Sequence, residues 1–249
     1  MKLKGKVAIV TGGGRNIGEE ISKLFVSEGA KVAILDMDKA RGDKVAAEIV
    51  AKGGEAAAFV VDVSKGADAE RGVAEVTKRF GKIDILVNNV AISDNKTILE
   101  CTEEDWDRVM NVTLKGPFLM GKYVAKQMIA QGTGGAMVNI ASTSGFRGRP
   151  RAIAYISAKS GVINLTRGMA VQLAQYNIRV NSVSPNKAGS PVGRDEFNTD
   201  RPITNLLKRP VEPLDVAKAV LFLVSDDATF VMGENIFVDG GVMAVDIAS

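Results

Sequence analysis

The chain contains no histidine, and this absence excludes most of the familiar proton-transfer chemistry. A Ser-His-Asp or Cys-His arrangement needs an imidazole as its base. Zinc sites are built mainly from histidine and cysteine, and the 249 residues include one cysteine, Cys101. We therefore expect no metal site and no internal disulfide. Any residue that transfers a proton must be a tyrosine, a lysine, a carboxylate or Cys101.

Long apolar runs and blocks of like charge are also lacking. No stretch is long and apolar enough to span a bilayer, and the N-terminus shows no small-residue cleavage site of a secretory signal. Together with the single cysteine, these features predict a reduced, cytoplasmic environment. The formal net charge of +3 is small and dispersed, so we expect neither nucleic acid nor a membrane as a partner.

What the chain does contain is an alternation of strand and helix patterns. Hydrophobic residues make up 46% of it, enough to bury a sizeable core. Short apolar runs predict strands at residues 6–11, 31–36, 56–61, 83–87, 136–141, 178–183 and 235–238. The alternation predicts an α/β fold, with a doubly wound parallel sheet of seven strands covered by helices on both faces. Without a linker or repeat, we expect a single domain over residues 1–249.

A glycine-rich turn stands between the first predicted strand and the first helix. It reads Thr-Gly-Gly-Gly-Arg-Asn-Ile-Gly over residues 11–18. Glycine lets a backbone approach a ligand closely, and a helix that begins after such a turn can hold a pyrophosphate at its N-terminus. A plain tight turn is the alternative, but the position between strand and helix favours phosphate binding. We expect cofactor contacts from Gly12, Gly14, Arg15, Asn16, Ile17 and Gly18.

Asp36 ends the second predicted strand, 24 residues beyond Gly12. A carboxylate there can accept hydrogen bonds from the ribose hydroxyls of a dinucleotide and repels a 2′-phosphate, which favours NAD over NADP. Arg15 is weaker evidence for NADP, since a guanidinium near the ribose can bind a 2′-phosphate. A helix N-cap is the structural alternative for Asp36. Asp62 and Asn88 also follow predicted strands, at the edge of the sheet where ligands bind.

Tyr155 and Lys159 lie four residues apart in a helix predicted over residues 152–174, so they share one face. An ammonium near a phenol lowers the pKa of the phenol, which can then transfer a proton near neutral pH. An ordinary surface pair on an amphipathic helix would show the same spacing, so the pattern needs support from elsewhere. Ser142 provides some, because it follows the fifth predicted strand, at the edge where this fold places its chemistry.

These motifs, taken in order, resemble those of the short-chain dehydrogenase/reductase family over essentially the whole chain. Residues 11–18 are similar to its Thr-Gly-x-x-x-Gly-x-Gly loop, Asp62-Val63 to the pair beside the adenine ring, and Asn88-Asn89 to the start of its Asn-Asn-Ala-Gly motif. Its catalytic tetrad matches Asn111, Ser142, Tyr155 and Lys159. The resemblance implies a Rossmann fold, a nicotinamide cofactor and a homotetramer.

The resemblance also implies roles for these residues. Tyr155 is expected to be the general acid/base at the substrate oxygen, and Lys159 to lower its pKa and bind the nicotinamide ribose. Ser142 is expected to donate a hydrogen bond to the same oxygen, with Ser144 as the less favoured alternative. Asn111 is expected to hold a water that links Lys159 to solvent. Further cofactor contacts are expected from Asp62, Val63, Asn89, Tyr155, Pro185 and Ser190.

Several residues depart from the family pattern. Asn16 replaces the second glycine of the loop, where asparagine tolerates a left-handed backbone better than most residues. Val90-Ala91 replaces Ala-Gly, and Asn186 replaces a glycine after the sixth strand, with Ser190 as the nearest hydroxyl to a threonine of the family. These changes bear on the geometry and affinity of the cofactor loop. They also motivate an alternative from another class, a catalytically silent nucleotide-binding protein.

Basic residues are concentrated around the predicted active site. Three arginines, Arg147, Arg149 and Arg151, alternate between Ser142 and Tyr155. Residues 185–213, which we interpret as a substrate loop, contribute Lys187 and Arg194 near their start. A solvated loop or subunit contacts would also explain them.

Guanidinium groups suit a carboxylate, phosphate or sulfonate. We therefore predict a secondary alcohol or ketone as substrate, as a hydroxy compound, sugar or polyol that bears an anionic group. The expected contacts are Ser142, Arg147, Arg149, Tyr155 and Lys187. An NADP-dependent reductase of 3-oxoacyl thioesters is the alternative within the enzyme class, and Asp36 opposes it.

Overall fold

Seven parallel strands form one sheet in the computed structural model, which describes residues 1–188, 192 and 203–245. The strands are β1 (Val7–Thr11), β2 (Lys31–Asp36), β3 (Glu55–Val60), β4 (Ile85–Asn88), β5 (Gly135–Ile140), β6 (Ile178–Pro185) and β7 (Asn235–Val238). Their order in the sheet is β3-β2-β1-β4-β5-β6-β7. The predicted doubly wound α/β fold is confirmed.

The helices between the strands cover both faces of the sheet. They are α1 (Asn16–Ser27), α2 (Lys39–Ala51), α3 (Gly66–Phe80), α4 (Glu103–Met110), α5 (Gly116–Gln131), α6 (Ile153–Leu173) and α7 (Pro213–Val224). A π-helical segment, Asn111–Lys115, joins α4 to α5 without a break, and a 3₁₀ turn, Thr143–Gly145, follows β5. The α6 helix begins one residue later than predicted, because Ala152 has a left-handed backbone (φ 72°) and so cannot belong to it.

Alternate residues of β1 contribute to two separate cores. Val10 packs with residues of α1, α2 and α7 on one face, while its neighbour Ile9 packs with residues of α3 and α5 on the other. Successive side chains of a strand point to opposite faces, so a strand buried on both faces reads as a continuous apolar run. This is why the apolar run predicted for the first strand was a reliable signal.

The order of the strands reverses between β1 and β4. The chain moves outward from β1 through β2 to β3, returns to form β4 on the other side of β1, and then moves outward again to β7. Loops that follow β1 and β4 therefore diverge and leave a crevice at the carboxyl edge of the sheet, the usual ligand site of such folds.

Within the described ranges, no helix is long and apolar enough to cross a membrane. Nor does the described part of the chain bring three histidine, cysteine or carboxylate side chains close enough together to hold a metal ion.

Candidate active site

A cavity of about 1000 Å³ opens along the carboxyl edge of the sheet. Its lining runs from the glycine-rich turn after β1, past the ends of β2, β3 and β4, to the segments that follow β5 and β6. Most of the predicted site residues line it: Gly12, Arg15, Asn16, Ile17, Asp36, Asp62, Val63, Asn89, Ser142, Ser144, Arg147, Arg149, Tyr155, Lys159, Pro185 and Lys187.

The glycine-rich turn leaves no room for a side chain at Gly18 or Gly14. A Cβ at Gly18 would lie 2.1 Å from the carbonyl oxygen of Gly12, and one at Gly14 would lie 2.8 Å from the carboxylate of Asp36. Gly12 and Asn16 both have left-handed backbones, with φ of 62° and 49°. Asparagine tolerates this conformation, so the turn keeps its course although Asn16 replaces a glycine.

The same turn is tied to the end of β4 by hydrogen bonds. The Thr11 hydroxyl accepts from the backbone N–H of Asn89 at 2.9 Å, and the Asn89 side chain donates to the carbonyl oxygens of Thr11 (3.0 Å) and Gly12 (3.2 Å). These contacts hold the two loops at a fixed separation. The Arg15 side chain gives no capping hydrogen bond to α1, so the cradle formed by this turn and the start of α1 suits a pyrophosphate.

Asp36 is held rigidly at the end of β2. One carboxylate oxygen accepts from the backbone N–H of Gly14 at 3.2 Å, and the other accepts from that of Asp38 at 3.0 Å. Asp38, two residues further, is the residue that caps α2, so the alternative of a helix N-cap does not apply to Asp36. Arg41, which sequence reasoning missed, also lines this end of the cavity and pairs with Asp38 at 3.2 Å.

Asp62 and Val63 follow β3 on the same side of the cavity. Partial burial acts to raise the pKa of Asp62, but hydrogen bonds from the backbone and hydroxyl of Ser64, at 3.0 Å and 2.7 Å, outweigh it, so the pKa lies below the ordinary value. The Asp62 carboxylate is therefore ionised, and its bonds to Ser64 stabilise the turn after β3. Val63 also contacts the core beneath the cavity.

Tyr155 and Lys159 both face the cavity from α6, as their spacing predicted. The Lys159 side chain is buried, and its Nζ donates to the carbonyl oxygen of Ile140 at 2.5 Å. The same Nζ lies 5.8 Å from the centre of the Tyr155 ring. Burial lowers the pKa of Lys159 to about 7, because an ammonium loses its hydration there. The charge beside the phenol therefore titrates in the neutral range.

Ser142 lies at the end of β5 with an extended backbone (φ −170°) and faces the same cavity. Its hydroxyl oxygen accepts a hydrogen bond from the backbone N–H of Ser144 at 3.1 Å, which leaves the hydroxyl proton to be donated elsewhere. The Ser144 hydroxyl also lines the cavity, where Arg149 donates to it at 3.5 Å. The structure thus brings both candidate serines to the site.

Three predicted site residues of the described chain do not line the cavity: Gly14 and Gly18, which belong to the tight turn beside it, and Asn111. Asn111 is the one of these with a predicted catalytic role. Its side chain is exposed and accepts a hydrogen bond from Lys115 at 3.5 Å. Thr113, two residues later, is fully buried instead, and its hydroxyl both donates to the carbonyl oxygen of Ile92 and accepts from the N–H of Ile92, each at 3.1 Å. The geometry therefore gives no support to a water relay held by the Asn111 side chain.

The arginines after Ser142 separate into two groups. Arg147 and Arg149 line the cavity, whereas Arg151 donates to Glu100 at 2.8 Å and to the carbonyl oxygen of Asn95 at 2.9 Å, away from it. Arg108 of α4 lines the cavity as well, and no motif of the sequence singled it out.

Pro185, the last residue of β6, and Lys187, which follows it, line the cavity. Lys187 has a left-handed backbone (φ 51°). Asn186, which replaces a glycine of the family pattern, accepts a hydrogen bond from the Thr143 hydroxyl at 3.3 Å and so ties β6 to the turn after Ser142. Two further predicted residues, Ser190 and Arg194, lie outside the described residues, as does much of the predicted substrate loop 185–213.

The cavity crosses the switch point of the sheet. At one end lies the tight turn that suits a pyrophosphate, and at the other lies the Tyr155 phenol, which can exchange a proton. A dinucleotide fits a cavity with these two ends. This combination defines the class of nicotinamide-dependent oxidoreductases with a Rossmann fold.

Comparison with known proteins narrows this class to one family. A sequence model of the family described as enoyl-(acyl carrier protein) reductase matches residues 12–243. The meso-2,3-butanediol dehydrogenase of Serratia marcescens is 38% identical (99% of this chain, 98% of the relative). The NAD-dependent glycerol dehydrogenase of Listeria innocua is 37% identical (95% and 93%), and the 3-oxoacyl-(acyl-carrier-protein) reductase FabG of Thermotoga maritima is 36% identical (98% and 100%).

A crystal structure of a putative short-chain dehydrogenase/reductase from Burkholderia xenovorans superposes with a TM-score of 0.93 at 39% identity, over 98% of this chain and 99% of that one. The chain belongs to the short-chain dehydrogenase/reductase family. It is an oxidoreductase that acts on alcohols or ketones and uses a nicotinamide cofactor.

Proposed function

We propose that this protein is an NAD-dependent dehydrogenase of a secondary alcohol bearing an anionic group, with Tyr155 as the proton-transfer residue. The observation that carries the proposal is the presence of Ser142, Tyr155 and Lys159 in the cavity whose other end is formed by the glycine-rich turn and Asp36. The nicotinamide supplies the hydride exchange when bound. The chain supplies the binding site and the proton.

In oxidation, the Tyr155 phenolate would take the hydroxyl proton of the alcohol. Lys159 favours the phenolate when it is charged, because its Nζ lies within 6 Å of the ring. The Ser142 hydroxyl would donate to the same substrate oxygen and stabilise the charge that develops on it. A Tyr155→Phe variant tests this assignment. It should lose turnover while binding NADH as tightly as the wild type, and unchanged turnover would refute the mechanism.

Preference for NAD rests on the rigid position of Asp36. Two backbone N–H groups hold its carboxylate at this end of the cavity, so a 2′-phosphate bound there would meet a like charge. Arg15 and Arg41 line the same end of the cavity, and their positive charge would offset part of the repulsion between Asp36 and a 2′-phosphate. The NAD-dependent glycerol dehydrogenase among the relatives agrees with the choice.

Replacing Asp36 tests the cofactor preference. Asp36→Ala should tighten NADPH binding by about tenfold or more relative to NADH, since a like charge is removed. Asp43→Ala is the matched control, because it removes an exposed carboxylate of α2 outside the cavity. Tighter binding of NADPH than NADH by the wild-type protein would overturn the choice. It would favour the alternative, a reductase of 3-oxoacyl thioesters, which the similarity to FabG supports.

An anionic substrate is supported by the position of the acidic residues in the cavity. Those of the described lining, Asp36, Asp38 and Asp62, all lie at or after the ends of β2 and β3, where Arg15 and Arg41 accompany them. Arg147, Arg149 and Lys187 instead follow the strands that lead to Ser142 and Pro185, beside the proposed reaction centre. A carboxylate or phosphate on the substrate would meet these cations without a competing carboxylate from the described lining.

Matched substrates test this part of the proposal. We expect 3-hydroxybutanoate and glycerol 3-phosphate to be oxidised more efficiently than the methyl ester of the first and glycerol, respectively. Arg149→Ala should raise KM for the preferred anion by about 10- to 100-fold, the usual cost of losing a charged hydrogen bond. Arg151→Ala is the control, because this neighbouring arginine pairs with Glu100 outside the cavity. Equal efficiency for charged and neutral partners, with no effect of Arg149→Ala, would sink the idea.

We further propose that the protein is a cytoplasmic homotetramer. Phe118 of α5 and Val171 of α6 are exposed, as an association between copies of these helices would require. Light scattering after gel filtration would show a mass near four times 26.3 kDa if the tetramer forms.

A further inference from the structure

The helix that carries Tyr155 and Lys159 does not cap its own N-terminus. Its N-cap position is Ala152, which has a left-handed backbone and gives no side-chain hydrogen bond. The first backbone N–H groups of a helix have no partner within the helix, and leaving them buried without a partner is costly. Another part of the chain must therefore supply the acceptors.

The loop after β4 supplies them. The carbonyl oxygen of Lys96 accepts from the N–H of Ala152 at 2.7 Å. The carboxylate of Asp94 accepts from two N–H groups of the first turn of α6. One oxygen lies 3.4 Å from the N of Ala154 and the other lies 3.2 Å from the N of Tyr155. Asp94 thus acts as a cap from a distance of about sixty residues in sequence.

The Asp94 carboxylate is buried against this first turn. It is 9% exposed, and a buried carboxylate is stable only where donors and favourable charge surround it. The N–H groups and the positive end of the α6 dipole provide both. The Cys101 thiol is also near this carboxylate, since burial, followed by the charges of Asp94 and Asp105, raises the pKa of that thiol. Asp94 therefore has a defined position in the loop, against the first turn of α6.

Tyr155 is the residue whose backbone this carboxylate holds. Further along α6, Lys159 bonds to the carbonyl oxygen of Ile140, and Thr166 accepts from the Asn139 side chain at 2.9 Å, so the later turns are fixed to β5. The first turn, by contrast, is fixed to the loop after β4. The direction of the Tyr155 ring depends on both attachments, because the ring leaves the helix between them.

We infer that Asp94 is a positioning residue for the reaction: by holding the Ala154 and Tyr155 N–H groups, it sets where the Tyr155 hydroxyl meets the substrate oxygen. The inference rests on the proposed role of Tyr155. It predicts an effect on the proton-transfer step rather than on cofactor binding, because the cradle for the dinucleotide lies on α1 and β2.

The test compares Asp94→Ala with a cap removed elsewhere. Asp94→Ala should lower kcat for the best-oxidised alcohol of the panel above by about 10- to 100-fold, the usual effect of a misplaced catalytic group. KM for NAD should change less than about twofold, because no cofactor contact is lost. Thr102→Ala is the matched control, since Thr102 caps α4 through the N–H of Asp105 at 3.2 Å and does not line the cavity. It should lower the melting temperature similarly but leave kcat within about twofold.

Asp94→Asn provides a second variant if Asp94→Ala does not fold. It retains one acceptor oxygen, so we expect kcat between those of Asp94→Ala and the wild type. Equal kcat values for the Asp94 and Thr102 variants would overturn the inference, and so would a loss of activity that appears in KM for NAD. Tyr155→Phe separates the two proposals. An active Tyr155→Phe refutes the proposed function, whereas an inactive Tyr155→Phe with fully active Asp94 variants refutes only the role of Asp94.

Discussion

Replacing Lys159 by methionine should change how the stability of the protein depends on pH. The side chain is buried, and burial lowers the pKa of Lys159 from 10.5 to about 7. The unfolded chain therefore binds more protons than the folded one between these values, so the free energy of unfolding rises with pH across this window. Methionine has a similar length and no charge, and it removes this dependence.

The magnitude follows from the two pKa values. With 10.5 for the unfolded and about 7 for the folded chain, burial of Lys159 costs the wild type about 5 kcal/mol at pH 6 and about 2 kcal/mol at pH 9. The wild type should thus gain about 3 kcal/mol on the variant between pH 6 and pH 9. The bond to the Ile140 carbonyl makes this an upper value, because it compensates part of the lost hydration. Losing that bond also costs the variant about 1–3 kcal/mol at every pH, so the change with pH is the quantity to measure.

Urea denaturation at pH 6, 7.5 and 9, at one protein concentration and without cofactor, measures this change. Lys78→Met is the control, because it removes an exposed lysine of α3, and its curve should stay parallel to that of the wild type. Parallel curves for the wild type and Lys159→Met would show that Lys159 stays charged in the folded protein across this range. That result would refute the reasoning from burial.

Two further pairs of substitutions test the geometry of the cavity. Gly18→Ala should weaken NADH binding by at least about 100-fold and destabilise the fold, since its Cβ would lie 2.1 Å from the Gly12 carbonyl oxygen. Its control, Gly168→Ala, should do neither, because there is open space around Gly168. Asn111→Ala should leave turnover within about twofold because the side chain is exposed, whereas Thr113→Val should cost about 1–3 kcal/mol of stability through its lost bonds to Ile92. Loss of turnover in Asn111→Ala, measured with the best alcohol of the panel, would restore the predicted relay.

The sequence was most informative where one residue type is forced by local geometry. Gly18 cannot carry a Cβ, and Asn16 can adopt a left-handed backbone, so the turn could be recognised despite its altered motif. The spacing of Tyr155 and Lys159 placed both on one helix face, and the structure has them in one cavity. These signals are local, so a single sequence carries them.

The assignment of Asn111 depended on which face of a helix meets the site, and there the sequence was insufficient. Asn111 and Thr113 are two positions apart, about 200° around a helix, so they lie on nearly opposite faces. A polar amide is the more obvious candidate for a site than a threonine. The chain is π-helical over residues 111–115, and the wider turn rotates the following residues relative to a regular helix. Nothing in the residue types signals that rotation.

Lys159 shows why a buried amine on α6 could not be predicted from stability alone. Burying the Lys159 amine destabilises the folded chain at every pH below about 10.5, and an apolar residue would fill the same space at lower cost. The proposed mechanism nevertheless places a charge beside the Tyr155 phenol, and burial brings the pKa of Lys159 to about 7. We therefore expect Lys159→Met to be more stable relative to the wild type at pH 6 than at pH 9, and to lose turnover. Stability at low pH and turnover would then place opposite demands on the residue at position 159.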